Sequence, residues 1–260
     1  MQRILSMPLL PFRRLGAALA LSALIAGPAA AQSVADMSDA ERDAFRAEVR
    51  AYLLENPEVL MEAMEVLEER QAAEQAAADA AMIAAVEDDL YDSERSWVGG
   101  NPEGDVTLVE FVDYRCSFCR RAHPEVEELI ASDGNIRLIM KEFPILGEQS
   151  VLASRFAIAT RQVEGDAAYK QVHDALITMR GDVNELSLEL VAEDLGLDTD
   201  AIVAQMDSDA VTEVIRANHM LAQQLGITGT PTFVLDGQML RGYLPLDGMR
   251  ERVAEARREE

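Results

Sequence analysis

The chain has 260 residues, 49% hydrophobic and 27% charged, the balance of a globular protein with room for one large domain or a domain plus an extension. Its formal net charge of −24 argues against nucleic acid and anionic lipid as partners, because both ask for basic surface. Only two cysteines are present, so no framework of structural disulfides holds the fold.

Residues 1–31 read as a secretory signal peptide. Arg3, Arg13 and Arg14 form a basic start, residues 15–26 an apolar core, and Ala29-Ala30-Ala31 a small-residue cleavage pattern that puts the mature start near Gln32. The apolar core is shorter than the ~20 residues of a membrane span. The expected destination is an oxidising compartment outside the cytoplasm.

Residues 32–95 form an N-terminal helical extension. Ser38 or Asp39 caps a first helix that carries Phe45, Val49, Tyr52 and Leu53 on one side. Asn56-Pro57 interrupts it, since proline ends what precedes and starts a new helix well. The second helix places Leu60, Met64 and Leu67 at i, i+4 and i+7 and regains a stripe at Met82, Val86 and Leu90. The heptad lapses at Gln71, Glu74 and Ala78, so a short oligomerising element followed by a stalk is expected rather than a long coiled coil.

Residues 96–147 open a domain. Residues 97–105, dense in Gly, Pro and Asn, read as its loop-like entrance. A strand at 106–112 then leads into Arg-Cys116-Ser-Phe-Cys119 and a helix over 120–131 that contains Pro124, and a second strand covers 136–141. Residues 148–225 are a helical insertion with breaks near Gly165, Gly181 and Gly196, and with Ser187 and Asp198 as N-caps. Residues 226–260 complete the domain: a Thr230-Pro231 loop, strands 232–235 and 238–241 about Asp236-Gly237, and a final helix over 246–257. The expected fold class is α/β: a sheet built around C-x-x-C at a strand-to-helix turn, the thioredoxin arrangement, with an inserted helical domain and an N-terminal helical extension.

Cys116 stands where unpaired helix N–H groups and the positive end of the macrodipole favour a thiolate, so it is the expected nucleophile; Cys119, a turn deeper, is the resolving thiol. The bridge between them closes a tiny loop and adds little stability, which leaves chemistry as its purpose. Ser117 and Phe118 tune the redox pair, Ser117 as a hydrogen-bond donor and Phe118 without charge. Arg115, Arg120 and Arg121 either add local positive charge or are solvated helix surface. His123, four residues past Cys119, is either a charge partner or ligand or a helix-surface histidine; His173 and His219 receive no role. One C-x-x-C supplies two metal ligands where a closed zinc site wants four, and no H-x₃₋₅-H exists, so no metal or cofactor site is expected.

The stretches Val109-Glu-Phe-Val-Asp-Tyr-Arg-Cys-Ser-Phe-Cys119, Lys141-Glu-Phe-Pro-Ile-Leu146 and Gly226-Ile-Thr-Gly-Thr-Pro-Thr-Phe-Val-Leu235 together resemble the DsbA-like branch of the thioredoxin superfamily. That resemblance implies a cis Pro231 facing the dithiol, with Thr230 and Pro231 as the substrate ledge. It also implies a semi-buried acid six residues before the first cysteine, which is Glu110. As a proton relay to Cys119 it would be catalytic; as an edge or surface glutamate it would not. Tyr52-Leu-Leu-Glu-Asn-Pro-Glu-Val-Leu60 resembles the extension of ScsC-like members, which oligomerise through it and act as disulfide isomerases. The dipeptide Ser117-Phe118 departs from the Pro-His of the best-known oxidase, so redox potential does not carry over with the fold.

The implied function is a periplasmic protein thiol–disulfide oxidoreductase, an isomerase ahead of a dithiol oxidase, with a copper-binding or chaperone module on the same fold as the reading from another class. The implied partners are cysteine-containing exported proteins, a membrane thiol reductase or oxidase, and further copies of the chain, a homo-oligomer joined through the N-terminal helices.

Overall fold

The computed structural model describes residues 37–91 and 94–259; the expected signal segment lies outside them. The chain divides into two units, Met1–Ala63 and Met64–Glu260.

In the first unit, helix α1 (Asp39–Glu55) begins at Ser38, whose hydroxyl accepts the Glu41 N–H while the Glu41 carboxylate accepts the Ser38 N–H, a reciprocal capping box. Of the two candidate caps, Ser38 is the one used. The Asn56 N–H closes the helix on the Tyr52 carbonyl, and helix α2 (Glu58–Ala85) starts just past Pro57. No residue of α1 is buried, and Phe45, Val49, Tyr52 and Leu54 are all exposed.

The second unit is built on a five-stranded sheet in the order β1-β3-β2-β4-β5. Its strands are β1 (Trp97–Gly100), β2 (Val106–Val112), β3 (Ile136–Glu142), β4 (Thr232–Leu235) and β5 (Gln238–Arg241). Central β2 runs parallel to β3 and antiparallel to β4. The β2–β3 crossover is α4 (Ser117–Asp133), and five helices separate β3 from β4: α5 (Glu148–Glu164), α6 (Asp166–Thr178), α7 (Glu185–Leu195), α8 (Thr199–Met206) and α9 (Asp209–Gln224). Helix α10 (Leu246–Glu259) follows the β4–β5 hairpin.

Strand alternation sorts the sheet into two cores. Leu108 and Val112 of β2 join Leu138, Met140, Phe233 and Leu235 with the apolar sides of α4, α5, α6 and α10. Val109 and Phe111 face the other way, into a smaller cluster with Ile139, Phe143, Val234 and Leu221. Glu110 lies opposite Met140 and Phe233 and therefore shares the α4 face.

Three expectations need correction. Residues 97–100 are strand β1, antiparallel to β3, where a loop was expected. Its glycines misled because they serve close packing: a Cβ on Gly99 would strike the Trp97 ring, and Gly100 has φ +67° with the Ile136 carbonyl beside it. The stripe at Met82, Val86 and Leu90 belongs to no free stalk. The helix breaks at Val86, short α3 (Glu87–Leu90) follows, and Ile83 and Leu90 are buried in the smaller core with Met82 and Val86 alongside. Asp79 adds a two-pronged ion pair to Arg241 of β5. Ser187 is not the α7 cap; Asn184 is, and Ser187 returns the favour from the third helical position. Asp198 caps α8 as expected, and Ser208 caps α9.

Candidate active site

Buried Asp113, just past the end of β2, shapes the turn into the dithiol. Its carboxylate accepts the N–H groups of Arg115, Ile145 and Leu146 and the Ser150 hydroxyl, and its carbonyl accepts the Cys116 N–H. One acid thereby pins the β2 exit, the β3 exit and the start of α5 together. Cys116 emerges as the N-cap of α4, with extended backbone (φ −73°, ψ 119°), and Cys119 lies one turn in, fully buried. Both are free thiols.

The Thr230–Pro231 peptide is cis, as the resemblance implied, and the Cys116 Sγ stands 3.1 Å from the Thr230 carbonyl oxygen. That contact is a hydrogen bond only while the thiol keeps its proton. The groups around the sulfur favour losing it: the Cys119 thiol donates to it, the Thr230 side chain adds a bond, and the N–H groups of Cys119 and Phe118 point at it, so despite desolvation the Cys116 pKa falls to about 5. Cys119 moves the opposite way. Its proton is held by the Cys116 sulfur, by burial and by the nearby Glu110 charge, and its pKa rises far above the thiol range. The pair is thus poised as one thiolate and one thiol.

Glu110 is no edge or surface glutamate. It is buried on the central strand, and burial, aided by Glu127, Glu142 and Cys116, lifts its pKa to about 8. Phe118 is exposed beside the dithiol. Arg115 donates to the Gly181 carbonyl, Arg120 to the Tyr114 carbonyl, and Arg121 lies 4.5 Å over the Tyr243 ring.

Residues 107–254 match the family model described as DSBA-like thioredoxin domain, more than half of the chain. The chain belongs to this DsbA-like family of thiol–disulfide oxidoreductases. A second model, described as the copper resistance protein ScsC N-terminal domain, matches residues 41–74. Among solved structures, a thioredoxin-like oxidoreductase from Silicibacter pomeroyi DSS-3 is 42% identical, covers 66% of this chain and 97% of its own, and superposes with a TM-score of 0.62. Proteus mirabilis ScsC in a transitional conformation is 28% identical over 87% of this chain and 99% of its own, with a TM-score of 0.63. A curated relative, the Na(+)/H(+) antiporter NhaA 1 of Salinispora arenicola, is 28% identical over 166 residues, 64% of this chain; the chain spans only 25% of that protein's length.

Within this DsbA-like frame the structure also assembles a buried polar network beside the dithiol helix. Glu142 is fully enclosed and accepts three hydroxyls, from Tyr114 and Tyr169 on Oε1 and from Ser154 on Oε2. Burial outweighs these donors, and its pKa rises to about 7. Tyr114, two residues before Cys116, also meets His173 Nδ1 at 3.0 Å. His173 therefore sits in a buried polar network, where the sequence reading left it without surroundings, and desolvation drops its pKa to about 3. His123 is half-buried against it, and burial lowers its pKa as well. His219 packs on the Phe143 ring. The Tyr114 and Glu142 signal was present in principle: each polar residue stands at the C-terminal end of an apolar strand run, where a buried partner is required.

Proposed function

We propose that this chain is a periplasmic protein thiol–disulfide isomerase that works through Cys116 and Cys119. The observation that carries the reading is the Cys116 sulfur, ionised near pH 5 at the start of α4 and set against the cis Thr230–Pro231 loop. The Cys116 thiolate attacks a sulfur of a substrate disulfide. A mixed disulfide forms, the substrate S–S bond breaks, and a substrate thiolate leaves. That thiolate can attack another disulfide of the same substrate and finally Cys116 itself, which departs as the thiolate it was at the start, so no net electrons move.

The escape route uses Cys119. Glu110, ionised above about pH 8 and close enough to raise Cys119, takes the Cys119 proton. The Cys119 thiolate then attacks the Cys116 sulfur, releases the substrate in reduced form, and leaves Cys116 and Cys119 joined. A membrane thiol reductase of the same compartment would return two electrons to the pair. The substrate lies extended along Thr230 and Pro231, with Ser117 and Phe118 flanking the sulfur; exposed Phe118 offers an apolar contact to an unfolded chain.

The isomerase reading, as opposed to the oxidase one, draws its support from the first unit. The ScsC N-terminal model matches there, and Phe45, Val49 and Tyr52 present an uncovered apolar side that suits packing between copies of the chain. An oligomer would hold several dithiols about one substrate. The test is reactivation of scrambled ribonuclease. The wild-type chain restores activity and Cys116→Ser does not; equal rates would sink the catalytic role of Cys116. Fast oxidation of reduced substrate with no reactivation of the scrambled form would move the function to a dithiol oxidase.

A further inference from the structure

Away from the dithiol, α4 and α6 bring His123, His173 and Asp174 together, with one ligand-capable atom of each within 4.8 Å of the others. His123 Nε2 is 3.4 Å from Asp174 Oδ1, and the two imidazoles meet edge to face with centroids 5.3 Å apart. We propose that these three side chains form a binding site for a divalent transition cation of the zinc class.

The donor set fits that class. Two imidazole nitrogens and one carboxylate oxygen suit Zn²⁺ and its borderline neighbours, whereas Ca²⁺ and Mg²⁺ take oxygen ligands. Zinc bonds of about 2.0–2.2 Å put neighbouring ligands roughly 3–3.5 Å apart, a separation that His123 and Asp174 already have. Three protein ligands leave a fourth position open to water or a substrate group.

The second observation is the support behind His173. The Tyr114 hydroxyl spends its proton on Glu142 Oε1, 2.7 Å away, so at 3.0 Å it accepts from His173, and the network assigns the His173 proton to Nδ1. The lone pair then belongs to Nε2. A histidine whose far nitrogen is tied through a hydroxyl to a buried carboxylate has the outer-shell support that fixes ring orientation and raises basicity in metal sites. His173 is also clamped by stacking on Tyr169. Asp174 is half-buried, with 42% of its side chain open to solvent, which provides the way in.

Lys170 now bonds both Asp174 oxygens and reaches Glu127 at 3.3 Å. A cation takes the Asp174 oxygen and leaves Lys170 with Glu127. Sequence spacing hides this arrangement, because His123 is on one helix and the His173-Asp174 pair on another fifty residues later.

The experiment titrates metal-free full-length chain, carrying Cys116→Ser and Cys119→Ser so that no thiolate competes, with Zn²⁺ alone in a calorimeter. Saturation at one ion per chain, with only nitrogen and oxygen ligands in the X-ray absorption spectrum, is the expected result. His123→Gln and Asp174→Asn each weaken binding at least about tenfold, and Tyr114→Phe, which keeps every ligand, weakens it by about tenfold through His173. Because 42% of the Asp174 side chain is open to solvent, its loss of binding cannot be ascribed to a collapsed core. No saturable uptake, or uptake unchanged in both His123→Gln and Asp174→Asn, overturns the site; unchanged affinity in Tyr114→Phe overturns the assignment of its outer shell.

Discussion

Helices α1 and α4 are each seventeen residues long, and each starts from an N-cap in extended conformation, yet they use that start differently. Ser38 gives its side chain to the helix: the hydroxyl takes the Glu41 N–H and Glu41 answers. Cys116 makes no such cap bond, so the N–H groups of Phe118 and Cys119 stay available to stabilise its own thiolate. The sides of the helices differ in the same sense. α4 buries Cys119, Ala122, Val126 and Leu129 against the sheet, and α1 buries nothing. A well-satisfied helix start is structural. A start left unsatisfied on a helix anchored by four buried residues is where reactivity can be held in place.

The largest effect that sharpens this contrast is in thiol chemistry. Iodoacetamide labelling of Cys116 should show a pH midpoint near 5, where an ordinary thiol gives about 8.5, a difference of roughly a few hundredfold in thiolate fraction at pH 6. A midpoint above 8 would break it. The linked stability has a definite sign. A depressed folded-state pKa stabilises the reduced fold fully above the unfolded-state pKa, and that stabilisation is lost as pH falls through about 5.

Next in size are matched truncations. Leu129→Ala in α4 empties a site that is 1% exposed and should cost about 2–5 kcal/mol in urea unfolding. Leu54→Ala in α1, 68% exposed, should stay within about 0.5 kcal/mol at a concentration where the chain is monomeric. Similar losses at both positions would erase the distinction.

Glu110→Gln tests the charge beneath the dithiol. A carboxyl whose folded pKa is raised to about 8 makes the wild-type fold lose stability as pH climbs from the unfolded value, about 4.3, through 8. The variant lacks that loss, so its stability relative to wild type should improve by roughly 3–4 kcal/mol between pH 5 and pH 8. Parallel stability curves would show that Glu110 is not protonated in the fold. The smallest effect is Ser38→Ala, which should cost about 1 kcal/mol of helix stability, read as faster amide exchange in the first turn of α1 alone.

Much of this molecule was legible from the chain. Strands β2, β4 and β5 follow from alternating apolar runs and the Asp236-Gly237 turn, and both cysteines fall at the expected strand-to-helix junction. What the sequence concealed has a common cause, which is long-range pairing of short polar or glycine-rich segments. Trp97–Gly100 reads as a loop until β3 supplies its partner. His173 looks isolated until folding brings Tyr114, 59 residues earlier, within 3.0 Å. Periodicity correctly marked Met82, Val86 and Leu90 as apolar but could not say that the sheet of the same chain covers that stripe.

The isomerase proposal requires that exposed apolar side chains of α1 turn a reactive dithiol into an isomerase. Phe45→Asp, Val49→Asp and Tyr52→Asp together change only exposed positions of the single chain, so the fold around Cys116 is untouched. The decisive measurement is the ratio of scrambled-ribonuclease reactivation to reduced-ribonuclease oxidation in this triple variant and in the wild-type chain. Reactivation should fall to the Cys116→Ser background while oxidation persists; an unchanged ratio would contradict the proposal.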